Sequence, residues 1–125
     1  MRRKMLMKTM LVLATGALLG GTALAQGAEW PNKPIKIVVG FAPGTPPDIF
    51  ARMYGDYVGK KLGVPLVIDN RPGTAGNLAS DAVAKSPADG YTFVYNLSTA
   101  FTINPYIYSK LPFDPDKDLV PVATT

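Results

Sequence analysis

No cysteine and no histidine occur among the 125 residues. Without cysteine there is no disulfide, no thiolate metal site, no thiol nucleophile and no thiol-linked lipid. Without histidine the imidazole base and the commonest metal ligand are missing. Ser80, Ser86, Ser98 and Ser109 therefore lack their usual activator, and no Ser-x-x-Lys pattern replaces it. Nucleotide signatures are absent as well, since neither G-x-G-x-x-G nor Gly-Lys-Ser/Thr is found. The run Asp114-Pro115-Asp116-Lys117-Asp118 opens like a calcium loop. Leu119 and Thr125 then stand where that loop requires Gly and Glu. These absences favour a binding protein over an enzyme and imply neither cofactor nor metal. Of the enzyme classes, only an exported hydrolase built on Ser98 is left to test.

What is present supports a folded chain. Apolar residues make up 47% of the sequence, the proportion of a globular domain rather than a disordered one, and the length suits one domain. The formal charge of +4 is unevenly placed. Arg2, Arg3, Lys4 and Lys8 precede an apolar run from Met10 to Leu24, which closes on Ala23-Leu24-Ala25. A basic start, a short apolar stretch and an A-x-A step describe a secretory signal peptide over residues 1–25, cleaved after Ala25. The run is shorter than the ~20 residues a membrane span needs, so no stable anchor is expected after cleavage. Arg2-Arg3 leaves both the general and the twin-arginine export routes open. The segment 26–125 carries equal numbers of basic and acidic residues, which removes the case for a nucleic-acid partner.

The mature segment alternates strand and helix signals. Lys36–Phe41 is a β-branched run bounded by Pro34 and the Pro43-Gly44 turn. From Asp48 to Leu62, residues Phe50, Met53, Tyr54, Tyr57, Val58 and Leu62 recur at helical spacing, with Gly63 and Pro65 as stops. Pro65–Asp69 reads as a second strand, and Asn77–Ser86 as a helix with Leu78, Ala82 and Val83 on one face. Tyr91–Tyr95 reads as a third strand. Phe101–Tyr108 reads as a broken helix, 114–118 as a polar turn, and Leu119–Ala123 as the start of a fourth strand. The pattern implies an α/β fold with a parallel sheet and flanking helices.

Ligands in such sheets sit beyond the carboxyl ends of the strands. Three loops meet that description. In Ala42–Asp48, Thr45 and Asp48 form a T-x-x-D capping box, and Pro46 takes the first helical position. The helix start is either an ordinary cap or an anion seat. Asn70–Asn77 contains Gly73 and Gly76, which let a ligand approach the backbone. Asn96–Ala100 offers hydroxyls.

Five ordered motifs carry a family resemblance: WPNKPIKIVVGF (Trp30–Phe41), FAPGTPPD (Phe41–Asp48), IDNRPGTAGN (Ile68–Asn77), KSPADGYTFVY (Lys85–Tyr95) and INPYIYSKLPFDPDKDLVPV (Ile103–Val122). Together they resemble the periplasmic solute receptors of tripartite tricarboxylate transporters, the Bug or TctC-like proteins. The resemblance implies a two-domain Venus-flytrap receptor of the type II periplasmic class. It also implies capture of a small organic solute, usually a carboxylate, for delivery to membrane permease subunits. By position it assigns solute contacts to Phe41, Pro43, Gly44, Thr45 and Asp48, to Ser98, Thr99 and Ala100, and to Gly76 and Asn77 of the middle loop. This sequence has Thr45 where the family pattern has a second Gly, and Pro46-Pro47 lack two backbone donors. A stiffer loop, a delayed helix start and altered or weaker carboxylate binding are expected. Residues 26–125 then form an incomplete first domain, without the second domain and the returning segment. The competing expectation is a small self-contained exported α/β binding module.

Overall fold

The computed structural model describes residues 29–124. The expected signal segment and its cleavage point lie outside these residues. Three strands, β1 (Ile35–Val39), β2 (Leu66–Asn70) and β3 (Thr92–Tyr95), form one parallel sheet in the order β2-β1-β3. The register sets Ile37 opposite Ile68 and Phe93, and Val39 opposite Asn70 and Tyr95. Helix α1 (Pro46–Leu62) links β1 to β2, and α2 (Asn77–Ala84), preceded by a turn at Thr74–Gly76, links β2 to β3. The two crossovers lead to opposite edges of β1, so right-handed connections place α1 and α2 on opposite faces of the sheet. Both faces of β1 are thereby covered, and Val38 and Val39 are fully buried. The continuous apolar reading of this strand thus describes a central strand.

Two short helices follow β3: α3 (Thr99–Thr102) and α4 (Asn104–Ile107), the broken helix expected there. Residues 114–118 form the expected turn, in which Asp114 O accepts from the amides of Lys117 and Asp118. The fourth strand does not form. Residues 119–124 belong to no element, and Val120 and Val122 are 85% and 74% exposed. No strand among the described residues lies alongside to bond them, and Pro121 lacks a donor.

The helices bury faces other than their largest side chains suggest. An apolar stripe ordinarily faces a core. In α1 the buried residues are Asp48, Ala51 and Gly55, whereas Phe50, Met53, Tyr54 and Tyr57 are 45–63% exposed. At 100° per residue the stripe lies roughly 140° around the helix from that buried face. Close packing explains the choice. A Cβ on Gly55 would stand 3.6 Å from Leu66 Cβ and 3.7 Å from Ile68 Cδ1, and one on Gly59 only 3.0 Å from Val64 O. The small face alone lets the helix approach β2 this closely. In α2, similarly, Asn77, Ala79 and Ser80 are buried while Leu78 is half exposed.

Candidate functional site

The first-loop residues stand at the carboxyl end of the central strand, where the chain turns from β1 into α1. Helix α1 begins at Pro46 with no delay, its extended N-cap at Thr45. The capping box does not close. Thr45 Oγ1 donates to Ala42 O at 2.7 Å, and the Asp48 carboxylate reaches one residue further back, accepting from the Gly44 amide at 2.8 Å. Gly44 permits this turn because its φ is +80°. Asp48 is 2% exposed and its carboxylate is fully engaged. Oδ2 also accepts from Arg52 Nε at 3.0 Å, and Oδ1 accepts from Asn70 Nδ2 at 2.8 Å. The Arg52 guanidinium, the Gly44 amide and Asn70 together hold this carboxyl well below the usual carboxylate range, while Asp48 raises Arg52.

Strand parity explains which helix each strand-end asparagine serves. Asn70 continues the Leu66–Ile68 face, against which α1 packs, and so meets Asp48. Its Nδ2 also donates to Phe41 O at 3.0 Å, and its Oδ1 accepts from Arg52 Nη2 at 3.1 Å. Asn96 continues the Thr92–Val94 face and serves α2, donating to Gly76 O at 2.9 Å and Ser80 Oγ at 3.2 Å. Its Oδ1 accepts from the Leu97 amide at 2.9 Å. What approaches the backbone at Gly76 is therefore Asn96. A Cβ there would lie 2.3 Å from Asn96 Nδ2, and one on Gly40 would lie 2.9 Å from Gly76 Cα. The opening at Gly73 is likewise taken internally, by Leu78 Cδ1 at 2.7 Å from a Cβ position.

A third asparagine completes the arrangement. Buried Asn104 on α4 donates to Ala75 O at 3.2 Å and to Asn77 Oδ1 at 2.7 Å. This holds a turn in which Thr74 and Ala75 both have φ near +50°, a costly conformation for residues with a side chain. Asn77 Nδ2 is buried without a partner among the described residues.

All ten positions named from the resemblance lie on the loops and helix starts at this one end of the sheet. Pro43, Gly44, Ser98 and Thr99 are exposed, Phe41 and Thr45 half-buried, and Asp48, Gly76, Asn77 and Ala100 buried. In a sheet of this order the crevice between the first and third strands is the topological switch point, where open α/β folds bind ligands. Asn70, Asn96, Asn104, Ser80 and Arg52 have no assigned role in the sequence reading. Only the parity of Asn70 and Asn96 at strand ends could have signalled them. Among the described residues no group of acidic side chains has the arrangement of a metal site.

The family model for the tripartite tricarboxylate transporter family receptor matches residues 50–125. The chain belongs to this family. Within it, a UPF0065 protein of Bordetella bronchiseptica is 40% identical over 113 residues, 90% of this chain and 34% of its own length. BugT of Bordetella pertussis is 36% identical over 108 residues, 86% of this chain and 33% of its own. This family member thus spans about a third of the length of these curated relatives. Two solved Rhodopseudomonas palustris proteins share the fold. One, solved with adipate, superposes at a TM-score of 0.67 with 38% identity, over 70% of this chain and 29% of its own. The other, MatC with bound malate, gives 0.67 with 35% identity, over 71% and 30%. The periplasmic binding protein BugD gives 0.65 with 28% identity, over 71% and 29%. The architecture is that of part of a periplasmic binding-protein domain.

Proposed function

We propose that this family member forms one wall of a periplasmic receptor cleft that captures a small organic carboxylate without chemical change. The observation that carries this reading is the shared fold with proteins holding adipate and malate, in a chain whose candidate loops flank the switch point. Residues 1–25 direct export and are removed after Ala25, and residues 26–125 belong to the first of two lobes. The bound solute passes to the permease subunits of a tripartite transporter. Solute contacts come from the loop at 41–48 and from 98–100, with Gly76 and Asn77 behind them. Residues 26–125 by themselves supply one wall, so a test made on them must detect weak contact.

Saturation-transfer NMR on the exported chain serves, with adipate and malate as probes and adipamide as the uncharged control. Transfer to the dicarboxylates and not to the diamide is expected. Equal transfer to all three, or to none, refutes the carboxylate reading. Periplasmic fractionation and intact mass of the expressed chain test export: a product shortened by residues 1–25 is expected, and a full-length product retained with the cells refutes cleavage after Ala25.

A further inference from the structure

A second cluster of polar and aromatic side chains lies at the opposite, amino end of the sheet. Asp89-Gly90 is the one Asp-Gly step in the sequence, in the segment between α2 and β3. Residues 87–90 are exposed, and Gly90 has φ +77°. The residues ahead of β1 form a strap over this turn. Trp30 Nε1 donates to Gly90 O at 3.3 Å, and the Trp30 and Tyr91 ring centres are 6.1 Å apart. Tyr91 Oη accepts from the Asn32 amide at 3.1 Å and donates to Asn32 Oδ1 at 3.0 Å. Lys33 Nζ lies 4.2 Å from the centre of the Tyr91 ring and 3.1 Å from Asp89 Oδ2. Asp89 Oδ1 accepts from the Tyr91 amide at 3.0 Å. The Tyr91 amide and the Lys33 ammonium hold this carboxyl below its ordinary value.

Two features favour ring closure between the Asp89 side chain and the backbone. Gly90 has no side chain to shield its amide nitrogen, and that amide donates to no acceptor among the described residues. One feature opposes it. Water leaves from the protonated acid, whereas Lys33 and the Tyr91 amide favour the carboxylate and occupy one oxygen each.

We propose that Asp89-Gly90 is a site of spontaneous isoaspartate formation, and that Lys33 is the residue that restrains it. In the first step the Gly90 nitrogen attacks Asp89 Cγ. The N–Cγ bond forms, the Cγ–OH bond breaks, and the amide proton leaves with the hydroxyl as water. In the second step water adds to the main-chain carbonyl carbon of Asp89. The bond from that carbon to the Gly90 nitrogen breaks, and a proton returns to the nitrogen. The product keeps the original mass, but its main chain is one methylene longer and its free carboxylate is attached directly at Cα. The lengthened turn no longer offers Gly90 O to Trp30 and a carboxylate to Lys33 together, so the strap over residues 30–33 is released. This inference is independent of the receptor reading.

Peptide mapping of the purified chain, aged at neutral pH, reads the reaction, because isoaspartate splits the peptide carrying Asp89 into two chromatographic peaks of equal mass. Isoaspartate is expected to accumulate faster at position 89 than at any other aspartate, and a native chain that forms none there overturns the site. Lys33→Met is expected to form it about threefold faster, within what a surface ion pair commands. Lys33→Arg, which keeps the charge and the donors, is expected to hold the wild-type rate. Equal rates for wild type and Lys33→Met, or an Arg variant that follows the Met variant, overturn the role of Lys33. In urea the three chains are expected to react alike, and a difference that persists there also overturns that role. The wild type alone supplies a further arm, since concentrated salt screens this exposed pair and is expected to speed its reaction. An unchanged rate in salt overturns the restraint by Lys33 whether or not the variants fold. Trp30 is the one tryptophan, and its emission is expected to move to the red as isoaspartate accumulates. Constant emission overturns the release of the strap.

Discussion

Replacing Gly76 with Ala isolates the contact that joins the three loops. The added Cβ meets two independent penalties. Gly76 has φ +84°, and an L-residue held in the left-handed region costs about 1–2 kcal/mol. The Cβ would also stand 2.3 Å from both amide atoms of Asn96, far inside contact distance. Asn96 must then leave its position, losing its bonds to Gly76 O, Ser80 Oγ and the Leu97 amide. Three such bonds at about 1 kcal/mol each bring the total to about 4–5 kcal/mol. Gly63→Ala is the matched control, because Gly63 has φ +72° with nothing within 4 Å of its Cβ position, and so meets only the conformational penalty. Urea unfolding of residues 26–125, followed by circular dichroism, is the assay. Gly76→Ala is expected to be less stable than Gly63→Ala by about 3 kcal/mol, in keeping with the linear dependence of stability on denaturant. Since whole domains hold only about 5–15 kcal/mol, loss of the folded baseline at zero urea would agree with this. Equal midpoints for the two variants would refute the claim that Asn96 fills the place of a side chain at Gly76.

Other perturbations report on separate contacts. The Asp48 carboxyl titrates below its unfolded value, so its contribution is present above the ordinary carboxylate range near ~4 and is lost as pH falls through that range and below. The urea midpoint of the wild type should fall with acidification more steeply than that of Asp48→Asn, and parallel curves would exclude the buried ionised carboxylate. Asn104→Ala removes the donor to Ala75 O and Asn77 Oδ1 and leaves a buried amide unsatisfied, a loss of about 2–3 kcal/mol. Hydrogen exchange should speed up first at 73–77, and uniform protection would count against this tether. Phe50→Ser and Tyr57→Ser, on the exposed stripe, should shift stability by no more than about 0.5 kcal/mol, and a larger drop in urea midpoint would place them in a core. Val39→Ala, fully buried at the carboxyl end of β1, should cost about 2–3 kcal/mol by the same measurement.

Much of the architecture was legible because it depends on local chemistry. β-branched runs ending in Pro or Gly marked all three strands to within one or two residues, and Gly63 marked the end of α1 through its left-handed cap. The failures share a cause. Phe50, Met53, Tyr54 and Tyr57 keep perfect helical spacing, yet the interface with β2 selects the glycine face, because backbone approach distance outweighs side-chain size there. Thr45 and Asp48 have capping-box spacing, but a proline pair and a glycine in the left-handed region redirect both side chains. Leu119–Ala123 has strand composition and, among the described residues, no strand beside it.

For the candidate site, sequence placed the loops correctly, since loops after parallel strands must gather at one end of the sheet. By itself it also determined the absence of thiol and imidazole chemistry, the balanced charge of 26–125, the strand–helix alternation and the missing amides at Pro43, Pro46 and Pro47. Only the tertiary structure decided which of these donors and acceptors are engaged within the fold. Whether an amide or hydroxyl is available depends on acceptors brought from distant positions: Asn70 lies 22 residues from Asp48, and Asn104 lies 27 residues from Asn77. Those pairings follow from strand order, register and parity, which arise only when the sheet assembles.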